Sequence, residues 1–138
     1  MTSVGRTMAA VVAGCIAAVA IIMSVEFVSS KLYPPPPGID FTNVAAITAW
    51  IGHLPLGAFL MVLAGWLAGA IAGAYAATAI ARTNTAGYIV VALTFVSAIV
   101  NMLSIPHPMW FWVAAVAVFA VAGFVVSRKG APRAAAAA

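Results

Sequence analysis

Four long apolar runs decide what this chain can fold into. They span about residues 8–28, 55–81, 88–104 and 109–126. Each is near the ~20 residues needed to cross ~30 Å of hydrocarbon at ~1.5 Å per residue. Soluble domains carry about 25% charged residues, whereas here 6% of 138 residues are charged and 66% are hydrophobic. A globule of this length in water has no interior large enough for so much apolar surface. A bilayer solvates it, provided every backbone polar group is paired within helices. The sequence therefore predicts an all-α integral membrane four-helix bundle, one domain over 1–138. The first run extends from Met8 to about Phe27, past the ~7–15 residues of a cleaved signal's apolar core, so it reads as a retained helix.

The one sizeable loop, residues 29–54, follows. Pro34-Pro35-Pro36-Pro37 fixes four φ angles and removes four donors, which demands an extended, polyproline-like piece. Gly38 supplies a turn, and Asp40 or Thr42 is placed to cap a new helix. Residues 41–52 mix Phe41, Val44, Trp50 and Ile51 with Thr42, Asn43 and Thr48. That pattern suits a short interfacial helix with Trp50 at headgroup level. A long tilted second span starting near Val44 is the alternative, and Pro55 favours two pieces.

Within the second span, Gly65, Gly69 and Gly73 recur every fourth residue. They form a ridge on which another backbone can approach closely, in this chain or in another. A turn over 82–87 precedes the third span. Ile105-Pro106-His107-Pro108 breaks the helix before the fourth, which opens on Trp110-Phe111-Trp112, a composition typical of an interface belt. A low-complexity tail occupies 127–138.

Arg6, Arg82, Arg128, Lys129 and Arg133 fall on one side of a four-span topology and Lys31 on the other. Positive residues gather on the cytoplasmic side, so the expected topology is N-in/C-in, with an outward proline-rich loop. The net charge of +4 is spread singly, with no basic face, and nucleic acid is excluded as a partner.

This topology carries the unusual polar residues to one end. Glu26 and Asn101 lie about one turn inside the boundary, and His53 and His107 stand at the mouths of the second and fourth spans. Asp40 is in the loop between them. A carboxylate at membrane depth costs about 2.5–3.5 kcal/mol on insertion scales, so such residues face the bundle interior. Glu26 is thus a candidate proton or cation site, or a buried polar staple. With His53 and His107 it also offers the donor types of a two-histidine, one-carboxylate metal site, with Asp40 as a candidate fourth ligand, although every ligand would come from a distant segment. Bis-histidine haem ligation needs histidines deeper in the bilayer, and no cofactor is expected. The methionines of the same half (Met23, Met61, Met102, Met109) suit core filling. Cys15, the only cysteine, reads as a small residue at a helix contact. No nucleophile–base pair, phosphate loop or paired carboxylate is present, so an enzyme is not expected.

Taken as a set, Glu26, the Tyr33–Asp40 block with PPPPG, Leu54–Ala58, the glycine ridge, and Asn101–Trp112 with PHPxWFW resemble a family of uncharacterised small bacterial four-span membrane proteins. The resemblance covers nearly the whole chain except its ends. It implies a bacterial inner membrane and carries no activity. The leading expectation is a non-catalytic scaffold or accessory subunit that uses the glycine ridge to pack in a homo-oligomer or larger membrane complex. The alternatives are a proton- or cation-coupled small transporter using Glu26 and a metal-binding membrane protein.

Overall fold

The computed structural model describes residues 3–129, and all of their regular structure is helical. The chain runs α1 (Ser3–Leu32), α2 (Val44–Gly52), α3 (Leu56–Ala81), α4 (Asn84–Ser104) and α5 (Met109–Lys129). Helices α1, α3, α4 and α5 are long and apolar enough to cross a membrane. The tail beyond Lys129, Arg133 included, lies outside the described residues.

Local chemistry explains where these boundaries differ from those expected. Helix α1 continues through Ser29-Ser30-Lys31 because its serines turn inward. Ser24 and Ser30 donate to the carbonyls of Ala20 and Phe27, both at 2.7 Å, instead of ending the helix. It stops at Leu32, since the residue before Pro34 is pushed out of the helical region. At 30 residues α1 is about 45 Å long.

Neither expected cap starts α2. Asn43 does, its side-chain oxygen accepting from the N–H groups of Ala45 (3.0 Å) and Ala46 (3.3 Å). The helix therefore begins at Val44, not Phe41. Asp40 instead closes a turn on Thr42, accepting from its N–H at 2.8 Å and its hydroxyl at 2.7 Å. The turn expected over 82–87 shrinks to two residues. Arg82 closes α3 in the left-handed conformation (φ 58°), its N–H reaching the Thr78 carbonyl at 2.8 Å, and Thr83 caps α4.

Helix α3 is the central element. It packs against α1, α4 and α5, and α4 also touches α1 and α5, while α1 and α5 stay apart. The two interfaces of α3 are chemically different. Toward α5 it presents bulk: Trp66 stands edge-on to Phe111 at 5.5 Å, and Phe119 bridges Trp66 (6.2 Å) and Phe95 (5.1 Å). Phe111 is fully buried there. The Trp110-Phe111-Trp112 block is therefore part core and not wholly an interface belt.

Toward α1 the face of α3 is bare backbone. A Cβ on Gly69 would lie 2.8 Å from the Ala18 carbonyl oxygen and 2.6 Å from Ile22 Cγ1. One on Gly65 would lie 3.2 Å from Val25, and one on Gly73 would strike the Gly14 carbonyl. The neighbour of the glycine ridge is thus the chain's own first helix. Ala10, Ala77, Ala81, Ala86 and Val90 extend this small-residue seam across α1, α3 and α4, with Cys15 against it.

Candidate functional site

The α1–α3 contact steps along Gly14, Ala18, Ile22 and Val25 on one helix and Gly73, Gly69 and Gly65 on the other. One turn further on, the ridge position is Met61, with Val62 and Ala58 beside it, and the next glycine, Gly57, meets Tyr33 and not α1 itself. There the seam opens into a partly open cavity of ≈ 290 Å³. Its walls come from the end of α1 (Glu26, Ser29), the start of α3 (Ala58, Phe59, Val62), Asn101 of α4, and Ile105 and His107 of the following turn. Ser30 near the end of α1, Tyr33 and Pro35 of the proline loop, and Trp50 and Ile51 of α2 with Leu54 after it complete it.

Three of the five residues singled out from the sequence meet here: Glu26, Asn101 and His107. The other two do not. His53 is exposed at the end of α2, where its backbone N–H closes the helix on the Trp50 carbonyl at 3.0 Å. Asp40 is exposed and held to Thr42. The hydroxyl and then the N–H of Thr42 hold its carboxyl below the usual carboxylate range. Among the described residues no three His, Cys, Asp or Glu side chains gather closely enough to hold a metal ion. The candidate metal set of Glu26, His53, His107 and Asp40 is thus split by the cap of α2 and the Asp40 turn.

Glu26 is half-buried. Among the described residues its carboxylate has no ion-pair or side-chain hydrogen-bond partner. The basic residue nearest in sequence, Lys31, lies with its Nζ 5.1 Å from the centroid of the Phe27 ring, an attraction that does not involve the cavity. His107 is held differently. Its Nδ1 is 2.6 Å from the Ile105 carbonyl, so that nitrogen carries the donated proton and Nε2 is left as an acceptor. Its ring stacks on Phe111 at 4.6 Å and 24°. Burial pushes its pKa below the ordinary histidine value, and the Ile105 bond partly opposes that shift.

Ser29, Tyr33, Trp50 and Phe59 also line the cavity and were not among the candidate site residues read from the sequence. Ser29 lies four residues past Val25 and so on the face that meets α3. Only an α1 ending at 28 hid it. Tyr33 rests its hydroxyl on Gly57, where a Cβ would lie 2.5 Å from it. The arrangement offers a mostly apolar chamber with one uncompensated carboxylate, one imidazole acceptor, one amide and the hydroxyls of Ser29, Ser30 and Tyr33.

Fold and site together define a small helical bundle with four candidate membrane-spanning helices and a polar-edged cavity at the loop end. Comparison with models of protein families, with curated proteins and with solved structures found no match.

Proposed function

We propose that the chain is a non-catalytic, multi-pass protein of a bacterial inner membrane, both termini cytoplasmic, that holds a cation in its loop-end cavity through Glu26. The uncompensated Glu26 carboxylate carries this reading. A charge at membrane depth is costly, and among the described residues no side chain offsets it. The orientation rests on Arg6, Arg82, Arg128 and Lys129 at the opposite end of the bundle, with Lys31 alone beside the loop. The non-catalytic part rests on how the candidate reactive groups are used. Ser30 donates to Phe27 and His107 to Ile105, each to its own backbone.

The test is thermal unfolding of purified protein in nanodiscs against a panel of inorganic and organic cations at matched ionic strength. At least one cation should raise the melting temperature of the wild type and not that of Glu26→Gln. If none does, or if both respond equally, the reading fails. A scaffold or accessory role is the second reading. It draws on the exposed apolar stripe of α1 (Val4, Met8, Val12, Ile16, Val19, Met23) in place of the glycine ridge, which α1 covers. It predicts a concentration-dependent assembly that charges placed on that stripe abolish.

A further inference from the structure

We infer that the ligand of this cavity is an amphipathic amine: a protonated nitrogen that still carries N–H groups, attached to an apolar body. The inference rests on the cation reading above and names the class of cation. Three observations carry it. First, the two most restrictive polar groups of the wall only accept. Glu26 presents a carboxylate, and His107, having committed Nδ1–H to the Ile105 carbonyl at 2.6 Å, presents Nε2. A ligand with N–H donors satisfies both, whereas a quaternary ammonium has none to give and a carbonyl compound presents acceptors to acceptors. Asn101 and the hydroxyls of Ser29, Ser30 and Tyr33 adapt to either, so Glu26 and His107 set the preference.

Second, apart from the hydroxyls of Ser29, Ser30 and Tyr33, the remaining wall is apolar and aromatic, with Trp50, Phe59, Val62 and Ile105 among its residues. Such a wall desolvates a hydrocarbon body and offers ring faces to a cation. A bare alkali ion would exchange its water shell there for carbon, and divalent metals lack a grouped ligand set among the described residues. Third, the size fits. A partly open cavity of ≈ 290 Å³ is at the small end of ligand pockets and suits a compact ligand such as 2-phenylethylammonium.

The experiment titrates the full chain in nanodiscs with 2-phenylethylammonium, benzyltrimethylammonium, neutral 2-phenylethanol, and sodium or potassium chloride, following tryptophan fluorescence and calorimetry. Wild-type protein should bind 2-phenylethylammonium saturably. Glu26→Gln should weaken it at least tenfold, and His107→Phe, which keeps the ring stack but removes the acceptor, severalfold. Benzyltrimethylammonium should bind at least fivefold more weakly than the primary amine, and 2-phenylethanol should only partition into lipid. Helical content of both variants is checked by circular dichroism, and the His107 variant keeps the test meaningful where Glu26→Gln disturbs folding. Glu26-dependent binding of sodium or potassium without the amine overturns the amine class and leaves the cation reading standing. Equal affinity for quaternary and primary amines, with no loss in His107→Phe, overturns the N–H donor requirement. Absence of any Glu26-dependent binding overturns both.

Discussion

The backbone contact of α1 and α3 at Gly14 and Gly73 gives a sharp test of the fold. Replacing Gly73 with alanine adds one methyl group, which would strike the Gly14 carbonyl and lie 2.8 Å from Ala18 Cβ, against the ~3.5–4.0 Å of ordinary carbon contact. The obstacle is backbone and not the mobile end of a side chain. It is also reciprocal, because a Cβ on Gly14 would lie 2.5 Å from the Gly73 carbonyl. Helix α1 must therefore move away. Overpacking of this kind costs about 1–3 kcal/mol, and ~1.4 kcal/mol is a factor of ten, so the opened seam should be populated roughly fivefold to a hundredfold more. Cys15 packs at that seam and serves as a native probe. Its alkylation rate in bicelles should rise toward that range in Gly73→Ala, with a matching loss in denaturant unfolding. Gly123→Ala is the control, because a Cβ there meets nothing within 4 Å and alanine is favoured over glycine in helices by up to ~1 kcal/mol. Equal behaviour of the two variants would refute the in-chain α1–α3 contact. Altered sedimentation with unchanged Cys15 labelling would assign the ridge to a second copy instead.

Other perturbations separate single interactions. Thr78 buries a hydroxyl with no partner among the described residues, lodged against Gly87, whereas Thr94 donates to the carbonyls of Val90 (2.9 Å) and Val91 (3.0 Å). Thr78→Val should therefore leave stability unchanged or raise it by up to ~1 kcal/mol, while Thr94→Val lowers it by about 0.5–1.5 kcal/mol in the same unfolding assay. Asn43→Ala removes the cap of α2, worth about 1 kcal/mol; since α2 buries none of its residues, amide exchange should rise over 44–52 with no change in the global melting temperature. His107 is held neutral by burial, so its contribution is complete above about pH 6.5 and is lost as pH falls through that value toward its lower folded-state pKa. The melting temperature of the wild type should fall relative to His107→Phe between about pH 7.5 and about pH 5.5, with Glu26 present in both proteins; parallel curves would contradict the burial argument.

The helices were legible because length and apolarity are sufficient grounds for them. Their ends were less so, since end signals compete. The serines of α1 have hydroxyls that bond back into the helix as readily as they cap a new turn, and the pattern 29–31 does not say which occurs. Asp40, Thr42 and Asn43 were three eligible caps within four positions, and only the Asp40–Thr42 turn leaves Asn43 to do it. The glycine ridge was readable as a packing surface, but its partner was not, because a bare backbone accepts any helix. For the site, Glu26, Asn101 and His107 followed from topology alone, each being polar at the same depth. His53 satisfied the same rule and still lies outside, since the rule places a residue along the membrane normal and says nothing of its position around the bundle.

The tight seam and the cavity are two consequences of one sequence gradient along α3. From Gly73 to Gly65 every fourth residue lacks a side chain, and α1 is drawn in until backbones touch. At the next position, Met61, a side chain returns, and Val62 and Phe59 beside it line the cavity. Helix α1, already fixed by its contacts at Gly14, Ala18, Ile22 and Val25, does not follow that surface, so a chamber is left at the loop end. Glu26 comes immediately after the last clamped residue, Val25. Its position is thus set by rigid backbone contact rather than by a partner for its charge, which is how a carboxylate can remain uncompensated at that depth. A fold that needed only to bury Glu26 had Lys31 five residues away and leaves that cation over Phe27. On the proposed reading, the cost of an open charge at this position is offset by the cation that enters the chamber, and the glycine seam is the structural part of that binding site.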